Sequence, residues 1–132
     1  MIRDMYTVDK EDKKRALEYA EELLDEPGKW NRGCFAKNAE GVQVAWTSSK
    51  ACSYCLTGAL RKAALMVVRE LDESSGYWQH LYDDIEALVV KVVDKSYHFL
   101  GLVAFNDCET STIWLDVVNA VRSAREDIGN EA

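Results

Sequence analysis

Four stretches of this chain repeat apolar residues at the 3.6-residue period of an α-helix, and that repetition limits the possible folds more than any other feature. In "DKEDKKRALEYAEELLDE" the stripe is Ala16, Leu17, Ala20, Leu23 and Leu24, with charge elsewhere. The pattern predicts an amphipathic helix of about four turns, capped by Asp9 or Thr7 and stopped at Pro27-Gly28. In "SKACSYCLTGALRKAALMVVRELD" the stripe is Cys55, Leu56, Ala59, Leu60, Ala63, Met66 and Val67, predicting a central helix that starts at Ser48 or Ser49. After the break at "ESSGY", "YWQHLYDDIEALVVKVVDK" resumes the period through Leu81, Ile85, Leu88, Val89, Val92 and Val93. The last stretch, "TSTIWLDVVNAVRSARED", sets Trp114, Val117, Val118, Val121 and Ala124 against Asp116, Asn119, Arg122 and Arg125, with Thr110 or Ser111 as the cap.

Between the first two helices the period is lost. "CFAKNAEGVQVAW" reads as two short strands about a polar "KNAEG" turn in which Gly41 takes positive φ. Two strands alone are marginal in water, so this hairpin must lean on the helices through Trp30, Phe35, Val42, Val44 and Trp46. "HFLGLVAF" fits a strand, a buried loop or a short helix equally well. The resulting class is mainly α: a compact bundle of about four helices with a small β-hairpin after the first helix. A length of 132 residues suits one domain, 1–132, with an ordered core over residues 7–128.

With 48% apolar and 30% charged residues the chain has a globular rather than a disordered composition. No apolar run reaches the roughly 18 residues needed to cross a bilayer, and "MIRDMYTVDKEDKKR" has no signal-peptide core, so a cytoplasmic protein is expected. Cys34, Cys52, Cys55 and Cys108 are then expected to be reduced thiols. The net charge of −7 is lopsided: residues 1–66 hold 11 Lys/Arg against 10 Asp/Glu, and residues 67–132 hold 5 against 13. Such a field repels nucleic-acid phosphates and attracts basic protein surfaces.

Several stretches are candidates for chemistry. Cys52 and Cys55 have the spacing of half a zinc site, but the other cysteines are isolated, so no metal and no cofactor is expected. Cys55 is a candidate nucleophile with His80 or His98 as base and Asn106 or Asp107 as orienting group, provided that it sits in the first turn of its helix. The periodicity favours an earlier helix start and an inert thiol. In "HLYDD", His80 precedes Asp83 and Asp84 at the spacing of an ordinary helical surface pair. "ELDESSGYWQHLYDDIE" contains six acids and no Lys or Arg, interleaved with Tyr77, Trp78 and Tyr82. Aromatic residues are frequent binding hot spots, and local acid steers basic partners. The candidate interface is therefore Tyr77, Trp78, Tyr82, Asp83, Asp84 and Glu86.

Three segments, "KWNRGCFAKNAEGVQVAW", "YCLTGALRKAA" and "FNDCETSTIWLDVVNAVRSARED", carry W-x-x-G-x-[FL]-A, [WY]-C-x-x-G-A-[LI] and [WF]-N-D-x-x-T. Over residues 29–126 the chain thereby resembles a family of small uncharacterised proteins of bacteria and phages. Trp30, Gly33, Cys55, Gly58, Ala59, Asn106, Asp107 and Thr110 match the family pattern. Cys34, Cys52 and Cys108 fall outside it, and Tyr54 stands where tryptophan is usual. The resemblance implies a fold and a phage or mobile-element setting, not an activity. By analogy with small acidic phage proteins, the expected function is a non-enzymatic interaction module. In its most specific form this is an anti-CRISPR-like inhibitor, monomeric or homodimeric, of a host nucleic-acid-binding defence complex, acting in the host cytoplasm. The alternative is a cysteine-dependent hydrolase or transferase using Cys55.

Overall fold

The computed structural model of the protein describes residues 7–93, 101–108 and 112–129. In chain order these form helix α1 (Lys10–Leu23), a 3-10 turn (Pro27–Lys29), strands β1 (Ala36–Lys37) and β2 (Ser53–Tyr54), and helices α2 (Leu56–Leu71), α3 (Ser75–Val92), α4 (Leu102–Asp107) and α5 (Trp114–Gly129). The mainly α class with one small antiparallel pair after the first helix is thus the architecture observed.

The four long helices form a square. α1 packs against α2 and α5, α3 packs against the same two, and the short α4 lies on α2. Apolar stripes turn inward as their period requires: Ala16, Leu17, Ala20 and Leu24 on one side, Leu56, Leu60, Ala63 and Val67 on the next, Leu81, Ile85 and Val89 on the third, and Val117, Val121 and Ala124 on the fourth are all fully buried. With Leu102 and Phe105 of α4 they belong to a single hydrophobic cluster. Polar ties brace the edges. The Trp114 indole donates to the Leu24 carbonyl at 2.7 Å, closing the open end of α1, and Arg122 and Arg125 of α5 pair with Glu21 of α1.

Element boundaries differ from expectation in instructive ways. α1 ends at Leu23, ahead of the proline, and Asp9 stands at its N-cap without a side-chain cap bond. α3 begins at Ser75, with the Ser74 hydroxyl accepting from the Tyr77 amide, and its β-branched "LVVKV" run is helical. "LVAFND" resolves into α4. The part of the undecided segment at 96–100, including His98, lies outside the described residues. Thr110 and Ser111 do so as well, and α5 starts at Trp114, where the Asp116 carboxylate instead accepts from the Ile113 amide at 3.0 Å.

The main correction concerns the central helix, which starts at Leu56 and not at Ser48 or Ser49. Ser53 and Tyr54 form strand instead, pairing antiparallel with Lys37 and Ala36. The expected "KNAEG" turn exists: Asn38 accepts from the Glu40 and Val42 amides, Gly41 has φ 77°, and Lys37 bridges to Gln43. The second side of the hairpin is only that bridge, while β2 on the other edge of β1 supplies the ladder. Helical periodicity upstream of Leu56 was therefore coincidental, because the backbone groups of 52–55 are taken by β1 and its flanks (Cys52 amide to Lys37 carbonyl, Cys55 amide to Phe35 carbonyl).

Glycine within the first turn of α2 follows from this approach. A Cβ at position 58 would collide with the Phe35 carbonyl oxygen and stand 2.9 Å from its carbonyl carbon. Gly76 in α3, by contrast, has only the Ser74 hydroxyl at 3.6 Å. Two substitutions with equal helix propensity should diverge. Gly76→Ala is expected to raise unfolding stability by up to about 1 kcal/mol, and Gly58→Ala to lower it by about 2–4 kcal/mol, as read from urea denaturation midpoints.

Candidate functional site

The motif residues, scattered in sequence, meet at one place: the loop 30–34, the start of α2 and the end of α4. Asn106 is at its centre, with no exposed surface. Its carboxamide oxygen accepts from the Trp30 indole at 2.6 Å and from the Leu56 amide at 2.9 Å. Its nitrogen donates to the Asn31 carbonyl at 3.1 Å and to the Asp107 carboxylate at 2.9 Å. A carboxamide has two acceptor sites and two donor hydrogens, and all four are engaged. The Leu56 amide is one of the donors that a helix start leaves without an intrahelical partner, so Asn106 serves as a remote cap for α2.

Neighbouring groups extend this knot. The Asp107 carboxylate accepts from the amide of Gly33, which holds φ 88°. Asn31 bonds to β2 through both its backbone amide and its side chain, the latter reaching the Ser53 hydroxyl at 3.0 Å. Arg32 lies over the Trp30 ring at 4.5 Å and donates to the Thr112 carbonyl. Trp30, Gly33, Cys55, Gly58, Asn106 and Asp107 are thus brought together. Ala59 is a core residue, and Thr110 lies outside the described residues. Asn31, Arg32 and the Phe35 carbonyl belong to the same constellation but were not singled out from the sequence. Asn31 and Arg32 lay inside the W-x-x-G motif, and a glycine within a helix signalled that some backbone must come close.

Cys55 falls at the N-cap of α2, in neither of the positions considered from the sequence. Its thiol is buried and accepts from the Gly58 amide at 3.3 Å. Burial raises its pKa, the amides of Gly58 and Thr57 oppose that only in part, and Asp107 and Cys34 push the same way as burial. The thiol is accordingly held protonated at neutral pH. It opens on a cleft of about 250 Å³ lined by Gly33, Cys34, Phe35, Gln43, Val103 and Asp107. His80 is on α3 and is not among those residues. The described cysteines are all free thiols, and among the described residues no group of His, Cys, Asp and Glu is arranged to hold a metal ion.

The acidic, aromatic stretch divides into struts and surface. Tyr77 and Tyr82 are buried: the first donates to Asp12 and accepts from the Asp9 amide at 3.4 Å, tying α3 to α1, and the second donates to Glu86. Burial, followed by the bond to Glu86, pushes the Tyr82 phenol well above its ordinary range. Trp78 is half-buried and stacks between Trp46 and Tyr82 at centroid distances of 5.6 and 5.5 Å, with planes within 9° and 6°. Its indole donates to the Arg61 carbonyl at 3.1 Å, and the Arg61 guanidinium continues the column between Tyr82 and Phe35 at 4.7 and 4.9 Å. Asp83 is exposed, and Asp84 and Glu86 are half-buried. Trp46 is half-buried as well, so the stack leaves part of both indoles at the surface. Arg61 follows Leu60 beside Lys62, off the apolar stripe of α2, and nothing in the local sequence distinguishes it as the cation that these rings gather around.

Fold and knot together define a class: a small helical domain whose hairpin loop, central helix and short fourth helix are locked by one buried asparagine. The chain belongs to a family of unknown function (DUF6197), whose sequence profile matches residues 9–127, the whole knot included. No curated protein and no solved structure matches it. Among the described residues, no helix is long and apolar enough to cross a membrane.

Asn106→Leu should cost about 2–4 kcal/mol, since it orphans the Trp30 indole, the Leu56 amide and the Asn31 carbonyl. Asn106→Asp should be at least as harmful at neutral pH, because it sets a second carboxylate against Asp107. That damage should ease as pH falls and the new acid protonates, a trend that pH-dependent denaturation would read.

Alkaline lability should accompany the raised pKa values of Cys55, Tyr54 and Tyr82, for all of which burial is the leading cause. Where the folded pKa exceeds the unfolded one, the unfolded chain loses its proton first. Stability is then complete below the ordinary thiol and phenol range and declines above about pH 8.5 to 10. Denaturation midpoints that stay level across that window would contradict the assignment.

Proposed function

We propose that this protein is an interaction module that meets a basic protein surface through the acidic face of α3 and the adjoining ring stack. The observation that carries the reading is the disposition of α3. Exposed Asp83 and half-buried Asp84 and Glu86 are on the same helix as a half-buried Trp78, which stacks between Trp46 and Tyr82 while the Arg61 guanidinium lies over Tyr82. A pre-ordered aromatic edge loses little side-chain freedom on binding, and carboxylates elsewhere on the same helix steer cations toward it. Tyr77 and Tyr82 take part as struts beneath that surface. The partner fitting this chemistry is a complex whose basic surface ordinarily holds nucleic acid, and an inhibitor occupying that surface, in a cytoplasm where thiols stay reduced, is the biological form of the proposal.

Thiol catalysis is the second reading, and one observation favours it: Cys55 lines a cleft together with Asp107. Against it stand a thiol kept protonated by burial and used as a helix cap, and an Asp107 carboxylate already bonded to Gly33 and Asn106. Native iodoacetamide labelling separates the two readings. Exposed Cys52 is expected to react first and Cys55 only in denaturant, whereas preferential labelling of Cys55 in the folded protein would bring catalysis to the front.

For the interaction reading, affinity capture should be run in parallel with the native protein and with the folded double variant Asp83→Lys/Asp84→Lys. Basic, nucleic-acid-binding proteins are expected to be retained by the first and lost from the second, with association slowed by added salt. An identical set retained by both variants would sink the proposal.

A further inference from the structure

A second and larger cleft, of about 470 Å³, lies where α2 turns into α3, and none of the three sequence motifs reaches it. Its floor is Leu65 and Val68, its wall is Trp46 with Trp78 behind it, and its rim carries Asp72, Glu73 and Arg69. One face of Trp46 is covered by Trp78, and the column Trp78–Tyr82–Arg61 backs that contact, so the wall is fixed in orientation. Asp72 is held by the turn itself. It is the left-handed C-cap of α2, with φ 53°, and its amide and that of Glu73 bond back to the last turn of the helix. The rim carboxylates are therefore placed by backbone geometry rather than by a flexible loop.

We infer that this cleft receives a single lysine or arginine side chain from a basic protein segment. The inference rests on the interaction reading above and gives it a point of contact. The apolar floor suits the methylene stem of such a side chain, which buries readily while its charged head stays at the rim. The indole wall suits the head through its electron-rich face. Two carboxylates, Asp72 and Glu73, against one guanidinium leave the rim net negative. Arg69 is the group that opposes a cation. Its donors can instead meet the backbone carbonyls that a peptide brings with its side chain. A nucleic-acid strand would find the same wall but the wrong rim charge.

The probes are two capped peptides, acetyl-Gly-Ala-Arg-Ala-Gly-amide and its citrulline counterpart, which keeps shape and loses charge, together with a lysine dodecamer. Binding is followed by the indole N–H resonances and by tryptophan fluorescence. The arginine peptide is expected to shift the Trp46 and Trp78 signals saturably, leave those of Trp30 and Trp114 unmoved, and bind about tenfold more tightly than the citrulline peptide. Trp46→Leu and Asp72→Asn should each abolish that preference. Asp72→Asn keeps the helix turn and guards against a variant that merely unfolds.

No saturable shift, or equal shifts with both peptides, would overturn the cleft. Outcomes for the broader reading are separate. If the dodecamer binds in a salt-dependent manner that Asp83→Lys/Asp84→Lys removes while the single-arginine peptide leaves Trp46 and Trp78 untouched, the acidic face survives and the cleft does not. If neither probe binds, both fail.

Discussion

The buried carboxamide of Asn106 is the interaction on which the rest of the structure depends. Burying such a group without partners costs on the order of several kcal/mol, and a half-satisfied amide is worse than an apolar side chain. Here each of its four sites is engaged, and each partner comes from a different structural decision: the indole of Trp30, the first amide of α2, the carbonyl of Asn31 and the carboxylate of Asp107. If any one is displaced, the others lose their reason for their geometry. The loop 30–34 has almost no regular structure of its own, yet the knot gives it a fixed path. That path brings the Phe35 carbonyl onto α2, where only glycine fits at 58.

The bundle was legible because burial and helical period are the same signal. Ala16, Leu17 and Ala20, or Val117, Val121 and Ala124, cannot be removed from water except on one face of a helix. The boundaries of α2 were not legible in that way. "SSKACSY" has helical spacing and good helix-starting residues, but its backbone groups are claimed by β1, and no property of the local sequence announces a competing partner 16 residues away. Tertiary pairing decided the conformation of that segment, and its helical spacing was coincidental.

The site was legible in part, for a related reason. Trp30, Gly33, Cys55, Gly58, Asn106 and Asp107 could be picked out one by one as residues with a job, but that the job is shared becomes visible only when the chain is folded. The aromatic stretch misled in the opposite direction. Tyr77 and Tyr82 sit beside carboxylates in sequence and look exposed, whereas their hydroxyls reach Asp12 and Glu86 from buried rings. A phenol can satisfy its one polar atom at the edge of a core, so acidic neighbours are as compatible with burial as with display. Trp78, with only an indole N–H to satisfy, ends between two other rings.

The knot also bears on how the chain reaches its folded state. Its bonds span 50, 75 and 76 residues of sequence, whereas the helices form from neighbours in the chain. Closure of such long loops is entropically expensive and has to wait for the helices that bring their ends together. The first turn of α2, capped from α4 and pinned by β1, is therefore assembled late although it lies in the middle of the sequence. A central helix that nucleates from its C-terminal half and completes its N-terminal turn last would make the hairpin loop, rather than either chain end, the final part of the molecule to set.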